Sequence, residues 1–149
     1  MRTTIVLLLL TAGACSDDRH WLQGKWMSDA SASISVTPGH ESFSKDQIEM
    51  YRNVYGKVRW EFEGDVYRAA WPDQDPYETT YSLRSLDGPM EELTVYWREI
   101  PIVMEVEPTQ TGFCVQTVSS GRYRIPKAKR NTECFARYNE SPATGDSLE

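Results

Sequence analysis

Beyond Lys57, apolar and polar residues alternate with a period of two, and the alternation breaks wherever Gly, Pro, Asp and Asn collect. Successive side chains of a strand point to opposite faces, so each unbroken run reads as one strand with one apolar face. The run "VRWEF" sets Val58, Trp60 and Phe62 against Arg59 and Glu61; "EGD" turns the chain, and "VYRAAW" returns with Tyr67, Ala69 and Trp71. After the loop "PDQDP", "YETTYSLR" alternates Tyr77, Thr79, Tyr81 and Leu83 with polar residues, and "SLDGP" turns again. "ELTVYW" contributes Leu93, Val95 and Trp97, "PIVMEVE" contributes Ile102, Met104 and Val106, and three shorter runs follow, "GFCVQTV", "GRYRI" and "TECFARY". Short strands in succession with turn chemistry between them predict an antiparallel meander.

One stretch ahead of this has the helical period. Ser44 stands three residues before Gln47 in "SKDQ", the spacing of a capping box, and Phe43 precedes it as a candidate staple. Ile48, Tyr51 and Tyr55 recur along one stripe with Met50 and Val54 adjoining, and Gly56 supplies the stop. Further upstream, "HWLQGKWMSD" is a short strand with heavy anchors at Trp21, Leu22 and Trp26, and "SASISVTPGHESF" reads as a loop or short strand. An amphipathic helix needs a surface to cover, and the sheet is the one available. The expected fold is therefore α+β, mostly β: a curved antiparallel meander, a half-barrel or small barrel, with one N-terminal helix packed on it. In that arrangement Trp60, Phe62, Tyr67, Trp71, Tyr77, Tyr81 and Trp97 are core beneath the helix; a sheet closed around a cavity would make them the walls of an apolar pocket.

The first residues carry an address. Met1-Arg2 leads into the apolar run Ile5 to Leu10, too short for the roughly 20 residues of a membrane span, and Ala12-Gly13-Ala14 precede Cys15. This resembles a bacterial lipobox, which implies cleavage of residues 1–14 and lipidation of Cys15; ordinary secretory cleavage after Ala14 is the alternative. Residues 15–20 then form a lipidated tether reaching at most about 20 Å. Residues 21–138 form one domain, and the polar residues 139–149 a flexible tail. Ser16, where Asp would signal inner-membrane retention, points to the periplasmic leaflet of the outer membrane.

The chain has three cysteines, an odd number for an oxidising compartment. Assigning Cys15 to a lipid leaves Cys114 and Cys134 to pair. The composition, 40% hydrophobic and 11% aromatic, is that of a soluble globular chain, and a net charge of −6 argues against general nucleic-acid binding. Only two histidines are present, His20 and His40, in no catalytic or metal-ligating arrangement. Glu91-Glu92 and Asp73/Asp75 read as strand-surface and turn carboxylates. With no phosphate loop and no nucleophile or zinc motif, neither catalytic residue, metal nor cofactor is expected.

The sequence opening "GKW..D", the capped helix, the hairpins "YGKVRWEFEGDVY" and "YSLRSLDG" and the ending "ECFARY" together resemble the small lipocalin-like lipoproteins of bacteria. The resemblance implies a curved sheet or half-barrel with a short helix and leaves activity open. One polar segment stands apart from the acidic whole: "GRYRIPKAKR", with Arg122, Arg124, Lys127, Lys129 and Arg130. It is either a solvated loop or a contact for something anionic, such as head groups or an acidic protein. The function expected is a noncatalytic, lipid-anchored envelope module that binds a small amphiphile or an envelope protein. The alternative is a periplasmic inhibitor or immunity-type protein acting through a disulfide-braced loop.

Overall fold

The computed structural model describes residues 21–139. Nine strands form one antiparallel sheet: β1 (Gly24–Ser28), β2 (Arg59–Glu63), β3 (Val66–Ala70), β4 (Tyr77–Ser85), β5 (Glu91–Trp97), β6 (Ile100–Pro108), β7 (Gly112–Ser120), β8 (Tyr123–Arg124) and β9 (Thr132–Arg137). The runs with period two are strands with the apolar face inward, except "GRYRI", of which two residues form β8 and both are exposed. The meander is moreover closed. β6 pairs with β7, β7 with β9, and β9 with β1 through Met27↔Ala136, so eight strands complete a barrel and the two-residue β8 is a spur on β7.

Two helices are present instead of the one expected. "SASIS", read as loop or strand, is part of α1 (Ala30–Ser35), which begins where the Asp29 carboxylate accepts the Ala32 N–H at 2.9 Å. The predicted helix is α2 (Lys45–Val54), and its capping box is complete: Gln47 N–H donates to Ser44 Oγ at 3.2 Å and Ser44 N–H to Gln47 Oε1 at 2.8 Å. Phe43 stacks on Tyr51, ring centres 5.1 Å apart. The expectation that this helix covers the sheet is corrected. Closure turns the apolar face of the sheet into the barrel interior, so α2 leans on α1, buries none of its residues and leaves Met50 and Val54 in solvent.

α1 takes over where β1 ends. Beyond Ser28, the Cys134 N–H of β9 donates to Ser33 Oγ at 2.8 Å, and its C=O accepts the Asp29 N–H at 2.7 Å. The backbone groups of β9 that β1 no longer reaches are thereby satisfied. Cys114 and Cys134, paired directly across β7 and β9, are disulfide-bonded. Gly112 faces Ala136 across the same seam, and a Cβ there would fall 1.8 Å from the Phe135 carbonyl oxygen, which is why this position carries no side chain.

The interior is filled in layers. At the end where Trp21 begins the described chain, Leu22, Trp26, Phe62, Leu93, Val106 and Phe113 are buried. Trp26 donates to the Leu22 carbonyl at 2.7 Å, and the Arg137 guanidinium lies 3.9 Å from its ring while donating to the carbonyls of Gln23 and Trp21. This end is shut. In the middle layer Trp60 stacks on Phe135 at 4.2 Å and meets Tyr67 edge-on at 5.4 Å, with Val95, Met104 and Val115 around them. Outside, Arg68 on β3 bonds Glu63 at 2.8 Å and Glu78 at 2.6 Å, cross-strand pairs that agree with the register of β2, β3 and β4.

Candidate functional site

The opposite end of the barrel is open. Both helices, the β3–β4 loop, the β5–β6 turn and the segment after β7 gather there. β4 pairs with β3 over Tyr77–Thr80 and with β5 only from Tyr81 onward, so β4 and β5 part at this end. The Tyr77 hydroxyl spans the gap, donating to the Tyr96 carbonyl at 2.5 Å and accepting the Arg98 N–H at 3.0 Å. Arg98 and Glu99 hold φ of 48° and 70° in a two-residue turn that favours Asn and Gly, so this rim is locally strained.

Behind the gap lies a hollow of about 220 Å³. Its walls are Trp60, Tyr67, Trp71, Tyr77 and Trp97, backed by aliphatic residues, and its polar lining includes Thr117 and Glu133. A second hollow of about 440 Å³, between the end of α2 and the β3–β4 loop, shares Val58, Trp71 and Glu133 with the first. Glu133 therefore stands where the two meet. Its side chain follows from the pleat of β9, two residues from the inward-facing Phe135 and opposite Val115. Ser28 Oγ donates to Glu133 Oε1 at 2.5 Å and itself accepts the Gly56 N–H at 2.8 Å, which fixes the carboxyl's orientation. Among the described residues Glu133 has no ion-pair partner, and no fully buried side-chain polar atom lacks a hydrogen bond. Its second oxygen is thus left to the hollows.

Burial pushes the Glu133 carboxyl above the usual range, and the Ser28 hydrogen bond offsets part of that. Burial likewise raises the Tyr67 phenol well above its ordinary value and the Tyr55 phenol above its own, in both cases assisted by the Glu133 charge. A carboxyl whose pKa is raised by folding holds its proton more tightly in the folded than in the unfolded chain. Stability is then lost as pH rises from the ordinary carboxylate range through the raised value. Glu133→Gln should consequently have a higher thermal midpoint than wild type at neutral pH, and the gap should close on acidification. Melting curves between about pH 4 and pH 8 check this; a variant less stable throughout would show that the carboxylate supports the fold.

The residues singled out in the sequence distribute as follows. Trp60, Phe62, Tyr67 and Tyr81 are buried, whereas Trp71 and Trp97 are partly exposed at the open end, their rings 6.2 Å apart. Cys15 lies outside the described residues. Arg122, Arg124, Lys127 and Lys129 are exposed between β7 and β9, the first two beside the end of β7, but Arg130 is not exposed: it is nearly buried, ion-paired with Glu105 at 3.3 Å and bonded to the Ile125 carbonyl at 3.1 Å. The basic segment follows the end of β7, while Trp21 contacts Phe113 at its start, 5.9 Å between rings. Arg122 and Arg124 lie by the end of β7, most of that strand's length from Phe113, and the segment then runs back until Thr132 pairs with Gln116. Glu133 was not singled out, although its phase with Phe135 marks it as inward.

Comparison with protein-family models, curated proteins and solved structures gives no match.

Proposed function

We propose that this chain is a noncatalytic binding module of the bacterial envelope, lipid-anchored through Cys15, that takes a small, largely apolar ligand into the open end of its barrel. The observation that carries the reading is the asymmetry of the walls: at the end closed by Arg137 on Trp26 the hollow is bounded mainly by the polar residues 109–112, whereas at the other end the hollow is walled by Trp and Tyr rings. Closed eight-stranded barrels of this size either fill their lumen with side chains or hold one small ligand. A Gly-x-Trp opening at the shut end of such a barrel supports the lipocalin-like resemblance.

The polarity of the barrel gives the anchor a consequence. Cys15 precedes Trp21 by six residues, so the shut end is the one tethered to the membrane, while the open end, with Arg122 and Arg124 beside the end of β7, lies away from it. Arg122 and Arg124 then serve poorly as contacts for the head groups of the anchoring leaflet. Their exposure on the outer rim favours, as a second reading, an acidic protein partner of the inhibitor or immunity type.

The test is a titration of the domain with the neutral fluorophore N-phenyl-1-naphthylamine. A single saturable site is expected, lost in Thr117→Phe, which fills the hollow from β7. Circular dichroism of the variant establishes that the barrel remains. Equal binding by both proteins would place the fluorophore outside the lumen and refute the reading.

A further inference from the structure

We propose that the ligand of the open end is a small organic cation with an apolar body, an alkyl- or arylammonium, and that Glu133 is its counter-ion. This rests on the binding reading above and specifies the chemistry of the same site. The first hollow is lined by thirteen residues, of which Glu133 is the one with a charged side chain; no Lys, Arg or His is among them. A carboxylate or phosphate ligand would meet that negative charge with no cation in the hollow to offset it, so fatty acids and phospholipids are excluded from its depth. A neutral ligand would leave the half-buried carboxyl with Ser28 as its partner and gain nothing from it. An ammonium brings what is missing: it pairs with a carboxylate already oriented by the relay from Gly56 N–H to Ser28 to Glu133.

The walls favour the same charge. The π faces of Trp and Tyr are negative, and cations carried among several such faces gain from each of them. Trp60, Tyr67, Trp71, Tyr77 and Trp97 surround the hollow, and the Tyr77 and Trp97 rings meet at a tilt of 46° with centres 4.3 Å apart at its mouth. Burial keeps the Tyr67 phenol protonated, so it adds no competing negative charge. Size selects further. A cavity of about 150 Å³ accommodates benzene, so about 220 Å³ holds one ring with a short arm, and a larger ligand such as the three-ring fluorophore must extend into the adjoining hollow of about 440 Å³. The adjoining hollow, where Lys57 lines the outer side, gives a longer substituent a way out past α2.

The probes are benzyltrimethylammonium, its uncharged isostere neopentylbenzene, and phenylacetate, each made to displace N-phenyl-1-naphthylamine from the intact domain. Benzyltrimethylammonium, which has no N–H and acts through its charge alone, should bind about tenfold or more tightly than the isostere, and phenylacetate weakest, a tenfold ratio being within what a desolvated cation–π contact supplies. In Glu133→Gln the cation should lose that advantage while the fluorophore still binds. Trp71→Leu, at a partly exposed position that folding tolerates, should weaken the cation more than the isostere. Equal affinities for cation and isostere, tighter binding of phenylacetate, or a preference that survives Glu133→Gln would overturn the proposal while the pocket stands. If the fluorophore itself does not bind, the pocket and the proposal fall together.

Discussion

Trp60→Ala is expected to lower the free energy of unfolding by about 3–5 kcal/mol, the range for emptying the site of a buried Trp or Phe. Trp60 is the hub of the middle layer: its ring lies 4.2 Å from Phe135, 5.4 Å from Tyr67 and 6.2 Å from Phe62, so one truncation takes a contact from rings on three strands. A barrel interior cannot collapse far onto the gap, because the wall is held at its circumference by the backbone ladders. For a domain whose total stability is about 5–15 kcal/mol, that loss is a large share. Trp60→Phe, which keeps one ring, should cost less than half as much. Denaturant unfolding of the two variants decides the matter. A loss under about 1 kcal/mol for Trp60→Ala would mean that this layer is not packed as described.

The second large effect concerns the seam. Replacing Cys114 and Cys134 together by Ser should cost about 2–5 kcal/mol, with about 3 expected for a closed loop of this length. The two residues are 20 apart in sequence, and the loop they close contains β8 and the whole basic segment. The fold itself should survive, since five residue pairs from Gly112↔Ala136 to Gln116↔Thr132 still join β7 to β9. Ser33 also still reaches the Cys134 position through its backbone N–H. The signature is therefore a lower denaturation midpoint with an unchanged native spectrum. A midpoint that reduction leaves in place would show that the unfolded chain gains no freedom when the bridge opens.

Much of this architecture was legible in the sequence because a period of two is a local signal. Trp60 and Phe62 could be assigned to one face of β2, and Leu93 and Val95 to one face of β5, from neighbours alone. Closure was not, since it depends on β9 meeting both β1 and β7, strands far apart in the chain. From closure follow the displaced position of α2 and the solvent exposure of Met50 and Val54. α1 escaped notice because six residues rich in Ser and Ala show no apolar stripe; its one signal is Asp29 as an N-cap. The site was only half visible. Trp71 and Trp97 stood out as aromatics, but Glu133, inward by its phase with Phe135, showed nothing of the partner that orients it, and Arg130 read as one more member of a charge run. Each is placed by a partner remote in sequence, Ser28 for Glu133 and Glu105 for Arg130.

The chain's five tryptophans supply the most direct measurement of where a ligand binds, because they mark the barrel from end to end. Trp21 and Trp26 belong to the shut end, Trp60 to the middle, and Trp71 and Trp97 to the open end. In protein labelled with 5-fluorotryptophan, a ¹⁹F NMR titration with N-phenyl-1-naphthylamine resolves them in one experiment. Shifts of Trp71 and Trp97, with a smaller one at Trp60 and none at Trp21 or Trp26, are the predicted result. Movement of Trp21 and Trp26 with Trp71 and Trp97 unmoved would contradict it and put binding at the wrong end of the barrel.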